Sequence, residues 1–379
     1  MQLCLEYLNR DYRDYFNDGD KEALLAATLL HDIGHGPFSH TTESFFRKHA
    51  ARSVQIINSS ESAVNKILTE VDKDLPSKVA ALVAEEIPKE NPPVLWQRAL
   101  ISSQLDVDRL DFLRRDSLFS GAEYGNFDWY RIIHTMRLTE RTEDIQGIQM
   151  FWPDKTKYAI EENLFSRFYM YQSVYYHKTT RCFEKVLQKI LDRAKWLSSQ
   201  NISNFGDSIR PSLKPFLQGN REPTLQQFFD LTDYLLLTQI SEWKNAEDPI
   251  LSDLAGNFFG SRDEGFKIAC EFDLMREVPM LTKIPEKVEA ASKYLRQNNL
   301  EPDYYLLSDE FDVEVYKPYA PELEELQRTP ENMIMISDGT KIREISNLLP
   351  RLKPIAQKLR TVRYYCPEEH KEEIKKLLS

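Results

Sequence analysis

Leu29-Leu30-His31-Asp32-Ile33-Gly34-His35-Gly36-Pro37-Phe38-Ser39-His40 is the stretch around which the rest of the chain is read. An apolar helical run, Ala23 to Leu30, ends there in adjacent His and Asp, followed by two glycines and a proline. Four of the seven histidines (His31, His35, His40 and His49) fall within nineteen residues. Imidazole beside carboxylate at a helix end is a donor pair for one divalent cation, from Mg²⁺ and Mn²⁺ to Fe, Ni and Zn. Gly34 and Gly36 let the backbone turn sharply and let a ligand approach, and Pro37 stops the helix from continuing. A single His at a helix C-terminus would be read as a partner of the helix dipole. Four of them, one beside an Asp and two glycines, are read instead as a site for metal and proton chemistry, with His31 and Asp32 as metal ligands.

Upstream, Leu3, Leu5, Tyr7, Leu8, Tyr12, Tyr15 and Phe16 give residues 1–16 the pattern of one amphipathic helix, and residues 17–20 (Asn-Asp-Gly-Asp) read as a turn. Downstream, residues 41–90 read as short helices, including 63–68 and 77–86. His49 precedes the apolar Val54, Ile56 and Ile57, and its nearness in sequence to the His-Asp turn favours a proton-transfer or supporting role over a plain surface position. Pro92-Pro93 breaks the chain, and a single long helix is expected over 94–116. At 100° per residue, Asp108, Arg109, Phe112 and Asp116 share a face about 100° wide, with Leu105, Leu110 and Leu113 supplying packing positions. Taken alone, such a charged helix reads as a salt-bridged solvent face.

Residues 138–160 alternate apolar and polar on either side of Gly147, as a β-hairpin does. A long helix is then expected over 160–197. On it Arg167, Tyr171, Tyr175 and Lys178 fall at helical angles of about 0°, 40°, 80° and 20°, a single stripe. Two cations and two phenols on one stripe suit a triphosphate, because Arg binds oxygens bidentately and Lys adds point charge. Residues 200–300 read as helical scaffold or oligomer surface without chemistry. From 301 the character changes: short strands are expected at 304–307, 313–316, 333–337 and 362–365, alternating with helices at 341–348 and 367–378. The expected fold is thus mainly α-helical with a small C-terminal α+β module. Its parts are a core over 1–200, a helical extension over 201–300 and the module over 301–379.

At 41% apolar and 29% charged residues, the chain has ordinary globular composition. It has no stretch near the roughly 18 uninterrupted apolar residues of a membrane span and no secretory leader pattern. Four scattered cysteines without a C-x-x-C pair exclude a zinc-finger framework and suit a reducing cytoplasm. A formal charge of −11 argues against a broad nucleic-acid-binding face. A polyanionic substrate must therefore be held by metal or by a local basic cluster.

The string HDIGHGPFSH, the run Asp106-Val107-Asp108-Arg109-Leu110-Asp111-Phe112-Leu113-Arg114-Arg115-Asp116 and Arg167 with Tyr175-Tyr176-His177-Lys178 together resemble three signatures of a known family. It is the HD-domain metal-dependent phosphohydrolases, in the bacterial branch that hydrolyses deoxynucleoside triphosphates. The resemblance spans roughly residues 1–200, and the loop 121–128 belongs to it. It implies a mostly helical homo-oligomer (dimer or tetramer) that cleaves a dNTP to deoxynucleoside and inorganic triphosphate, with one divalent metal per site and a nucleotide effector. Asp108 would complete the metal set of His31 and Asp32. His35 and His49 would transfer protons or position water, with Glu43 orienting one of them. Arg109, Phe112, Asp116, Arg167, Tyr171, Tyr175 and Lys178 would contact the nucleotide. The family carries a further ligand His in an upstream H-x-R-F-x-H segment. Residues 1–30 contain no histidine, so the sequence is read as beginning inside the catalytic core, with its first ligand absent. Other substrates open to such a site are nucleoside monophosphates and other phosphate esters; a catalytically impaired nucleotide-binding scaffold is the non-enzymatic alternative.

Overall fold

The computed structural model describes residues 1–15, 17–46, 48–86, 94–142, 145–200, 205–219, 223–260, 265–274, 284–313, 315–317, 333–356 and 359–379. The fold is mainly α-helical with a smaller α+β part. Its strands are β1 (Arg137–Thr142), β2 (Ile145–Pro153), β3 (Phe266–Asp273), β4 (Leu307–Val313), β5 (Met335–Ser337), β6 (Ile342–Glu344) and β7 (Leu359–Pro367). The chain divides into two compact units that interleave in sequence. The first comprises Met1–Gly34, His49–Val174 and Glu314–Lys358; the second comprises His35–Lys48, Tyr175–Val313 and Leu359–Ser379.

The first unit begins with α1 (Gln2–Asp11) and α2 (Asp18–Leu30). The residues expected to form one helix over 1–16 stop at Asp11. The expected turn at 17–20 is the start of α2 instead, because Asn17 accepts a hydrogen bond from Asp20 N while the Asp20 carboxylate accepts one from Asn17 N. Then come α3 (His49–Asn58), α4 (Ala63–Val71) and α5 (Leu75–Val83). Helix α5 packs against both α2 and α3, burying Leu24, Ala27, Ile56, Ile57, Val79 and Leu82.

The single helix expected over 94–116 is two, α6 (Leu95–Ile101) and α7 (Val107–Ser120). The wholly buried Asp106 causes the break. Its carboxylate caps α7 by accepting from Arg109 N at 2.7 Å and also accepts from Ser103 N at 2.8 Å. Pro92 and Pro93 lie outside the described residues. After α8 (Trp129–Thr135), β1 and β2 form the expected antiparallel hairpin. Residues 143–144 between the strands lie outside the described ones, and Gly147 lies within β2. The parallel pairing of Trp152 with Ile336 joins β2 to β5, giving the sheet order β1-β2-β5-β6. Helix α9 (Lys157–Met170) follows. The helix expected over 341–348 is β6 followed by a single helical turn, Ile345–Leu348.

The second unit holds α10 (Lys178–Ser199), α11 (Asp233–Trp243), α12 (Ile284–Gln297) and α13 (Lys371–Leu378). Its sheet is antiparallel in the order β3-β7-β4. Strand β3 was expected to be helix. A bulge between Ile268 and Cys270 breaks its alternation, which hides it from pattern reading. Tyr304 lies in a helical turn, Pro302–Tyr305, rather than in a strand, and the residues expected to form a strand over 313–316 reach only the end of β4. Strand β7 contains the expected 362–365 strand, and α13 starts at Lys371 because β7 runs to Pro367. Asp309, fully buried on β4, receives Arg181 Nε at 2.9 Å and Lys185 Nζ at 3.3 Å from α10. Among the described residues no helix is long and apolar enough to cross a membrane.

Removing one partner of a buried ion pair strands the other charge. Asp309→Ala should therefore destabilise the fold by about 3–5 kcal/mol, read as a lower midpoint in chemical denaturation.

Candidate active site

In the first unit the structure brings together His31, Asp32, His49 and Asp108. His31 follows the last residue of α2 with its backbone still helical. That geometry puts Nδ1 2.9 Å from the Thr28 carbonyl. A carbonyl only accepts, so Nδ1 is the nitrogen that keeps its proton, and once Nε2 is deprotonated the ring presents its lone pair there. Nε2 is buried and has no hydrogen-bond partner of good geometry among the described residues. It lies 3.3 Å from Asp32 Oδ2 and 3.6 Å from Asp108 Oδ1. A ring nitrogen held between two carboxylates is a mixed N/O donor set, and it fits a divalent cation. The Asp108 carboxylate, then the charge of Asp32, raises the His31 pKa to about 9 against the opposing effect of burial. His49, the first residue of α3, places Nε2 3.9 Å from the other oxygen of Asp32.

Two local features hold this group. A Cβ on Gly34 would sit 2.2 Å from the His49 carbonyl oxygen and 2.4 Å from Ser53 N, so only glycine lets the start of α3 come this close to the His-Asp turn. Asp106, by capping α7, fixes the first turn that carries Asp108. Asp106 also takes Arg109 Nη1, which donates to the Ser103 carbonyl as well. Asp108, Arg109, Phe112 and Asp116 lie half-buried along α7, while Asp111, Arg114 and Arg115 are exposed. This is the face that the helical angles predict.

On α9, Arg167 is buried, its Nε without a partner among the described residues, and its guanidinium lies 5.7 Å from the Tyr171 ring centre. Burial, then repulsion from Arg109, lowers its pKa. The stripe from Arg167 to Lys178 does not run along one helix. Helix α9 ends at Met170, a π-helical turn spans Tyr171–Tyr175, and His177 is extended as the N-cap of α10. The angles computed for a straight helix therefore do not carry beyond Tyr171. Tyr175 and the exposed Lys178 belong to the second unit.

The second unit also holds His35, Glu43 and His40, the last of which sequence reading left without a role. One ligand atom from each of the three lies within 4.8 Å of the others, so this set too offers metal ligands. The His35 and His40 rings meet edge to face with centroids 4.6 Å apart, and His40 Nδ1 is 3.5 Å from Glu43 Oε2. Phe38 and Ser39, both with positive φ (58° and 48°), make the turn that presents His40. Such strain at non-glycine residues persists only when neighbours enforce it. Here Phe38 N donates to Asp233 at the start of α11, and Gln188 of α10 donates to the Thr41 carbonyl. The signal for His40 was present in the sequence as the i, i+3 spacing to Glu43.

The site and fold agree with what comparison finds. Residues 1–116 match the HD domain and residues 127–207 match the HD associated region. The chain is 31% identical over 358 residues to Uncharacterized protein YwfO of Bacillus subtilis, covering 94% of this chain and 76% of that one. It belongs to the HD-domain family. It is also 29% identical over 167 residues to the Deoxynucleoside triphosphate triphosphohydrolase SAMHD1 homolog of Dictyostelium discoideum, spanning 42% of this chain and 30% of that one. Among solved structures, a phosphohydrolase (BT4208) from Bacteroides thetaiotaomicron superposes with a TM-score of 0.70 at 27% identity, covering 97% of this chain and 84% of that one.

Three outcomes are expected. The His31 pKa is raised from 6.5 to about 9, so in the metal-free chain its pairing with the carboxylates stabilises fully below the lower value and is lost as pH rises through the higher. The melting temperature without metal should fall across that window, and His31→Gln should flatten the dependence. Mn²⁺ must displace the same proton, so its affinity should rise by about tenfold per pH unit in that window, measurable by calorimetry. Gly34→Ala should push α3 and His49 away from Asp32 and weaken Mn²⁺ binding in the same titration.

Proposed function

We propose that this chain is a metal-dependent phosphohydrolase that cleaves deoxynucleoside triphosphates to deoxynucleoside and inorganic triphosphate. The observation that carries the reading is the buried, unpartnered His31 Nε2 set between the carboxylates of Asp32 and Asp108. Membership of the HD-domain family supports it, as do the phosphohydrolase likeness and the SAMHD1-homolog relative. His31, Asp32 and Asp108 would hold the divalent ion, which supplies Lewis acidity toward a phosphoryl oxygen when bound.

The remaining residues bind, orient and move protons. Hydrolysis joins a water oxygen to the α-phosphorus and breaks its bond to the 5′-oxygen, which must gain a proton. His49, beside Asp32, and His35 are the groups proposed to donate that proton or to orient the water, with Glu43 and His40 fixing an imidazole. Arg109 and Arg167 repel one another, and an anion placed against both relieves that repulsion while meeting N–H donors. Phe112 and Asp116, on the half-buried face of α7, and Tyr171, Tyr175 and Lys178 complete the proposed nucleotide contacts.

A second reading, hydrolysis of a monophosphate or other phosphate ester, gains support from the break after α9. The run of cations that favoured a triphosphate is not on one helix. The experiment is an endpoint assay of the full chain with Mn²⁺ and each dNTP, its products resolved by ion exchange and reverse-phase chromatography. Deoxynucleoside plus triphosphate is expected. Stepwise release of single phosphates, or turnover of monophosphates alone, supports the second reading. Binding without turnover identifies a nucleotide-binding scaffold. Asp108→Ala should abolish metal-dependent turnover, and Arg167→Ala should raise KM by about tenfold or more through loss of a charge-assisted contact. Light scattering on the same sample tests for the proposed dimer or tetramer.

A further inference from the structure

Ser53 lies one helical turn beyond His49 on α3 and is completely buried. Its hydroxyl donates to the His31 carbonyl oxygen at 2.7 Å and accepts from Gly34 N at 2.9 Å. One side chain therefore fastens both ends of the turn His31–Gly34 to the helix that begins with His49. Gly34 has no Cβ, and the space that a Cβ would fill is occupied by Ser53 N and Oγ and by the His49 carbonyl. The contact is thus a fitted one, in which the absent side chain of one residue admits the hydroxyl of the other.

We infer that Ser53 is a positioning residue of the metal site, setting how far His31 and Asp32 stand from His49. The inference rests on the metal reading above. Both hydrogen bonds of the hydroxyl are to backbone atoms, so it acts through the backbone that carries His31 and Asp32. The Nδ1 bond to Thr28 orients the His31 ring within α2, but it does not reach α3. Among the described residues Ser53 supplies that anchor through side-chain hydrogen bonds. Ala at this position would leave the buried Gly34 N–H without its acceptor and free the turn to shift. Supporting residues of this kind alter metal affinity or activity by about 10–100-fold when removed.

The test compares Ser53→Ala, Ser53→Thr and Ser62→Ala in the full chain by Mn²⁺ calorimetry, melting temperature and steady-state kinetics. Ser62 is the control: its buried hydroxyl donates to the Ile56 carbonyl of the same helix at 2.6 Å and caps α4. Both Ala variants should lose stability. Only Ser53→Ala should also weaken Mn²⁺ binding, by about tenfold, and lower kcat with KM little changed. Ser53→Thr, which keeps the oxygen, should recover most of the metal affinity. Mn²⁺ affinity in Ser53→Ala equal to that in Ser62→Ala overturns the inference. If instead the unsubstituted chain binds Mn²⁺ no better than His31→Ala does, the metal reading itself falls.

Discussion

The hydrogen bond from His31 Nδ1 to the Thr28 carbonyl is the interaction on which the candidate site depends. It costs the helix nothing, because the last carbonyls of an α-helix have no partners within it. It settles at once which way the ring faces and which nitrogen is left to give up its proton to a metal. Everything that converges on Nε2 does so because α2 ends where it does. The capping box at Asn17 and Asp20 sets the other end of the same helix, and α5 packs against both that helix and α3. Unremarkable forces therefore place a chemically unusual nitrogen, buried and facing two carboxylates.

The second half of the donor set depends on a different device. Asp108 stands in the first turn of α7, and Asp106 caps that turn from a buried position. Burial raises the Asp106 carboxyl pKa, while Arg109 and two backbone N–H groups pull it down. A carboxylate that would be expensive alone is thereby tied to one geometry. The same contacts occupy part of Arg109, so a cation expected to face substrate also serves the helix that carries a metal ligand. The two roles are linked in one side chain.

The contiguous string from His31 to His40 was legible because its chemistry is local: residue types, spacing, glycines and a proline all lie within ten positions. The half-buried face of α7 was legible for a similar reason, since four residues on a regular helix keep their angles. The stripe from Arg167 to Lys178 was not, because it assumed a straight helix where a π-helical turn and an extended His177 intervene. The break at Asp106 was hidden because Asp mid-sequence reads equally as a helix surface residue or a cap; only burial distinguishes the two. The α+β part was recognised from its C-terminal strands, but β3 was missed, its alternation interrupted by the bulge after Ile268. Interleaved units leave no composition boundary to find. Ser53 gave no signal either, since its contact with the turn depends on the Cβ that Gly34 lacks.

The sheet order β3-β7-β4 has a consequence for how the molecule is made. Strands β3 and β4 emerge first, yet each pairs with β7 and not with the other. Residues 359–367 supply the hydrogen-bonding partner for both, more than forty positions after β4 ends. During synthesis the two earlier strands must therefore wait on the ribosome with open edges, a condition that invites mispairing. Asp309 sits on one of those strands, its buried carboxylate paired with Arg181 and Lys185, which are made before it. A nascent chain stalled before β7 would carry its acidic anchor and its basic partners without the central strand that holds the sheet together. The second unit is thus built to be completed late and all at once.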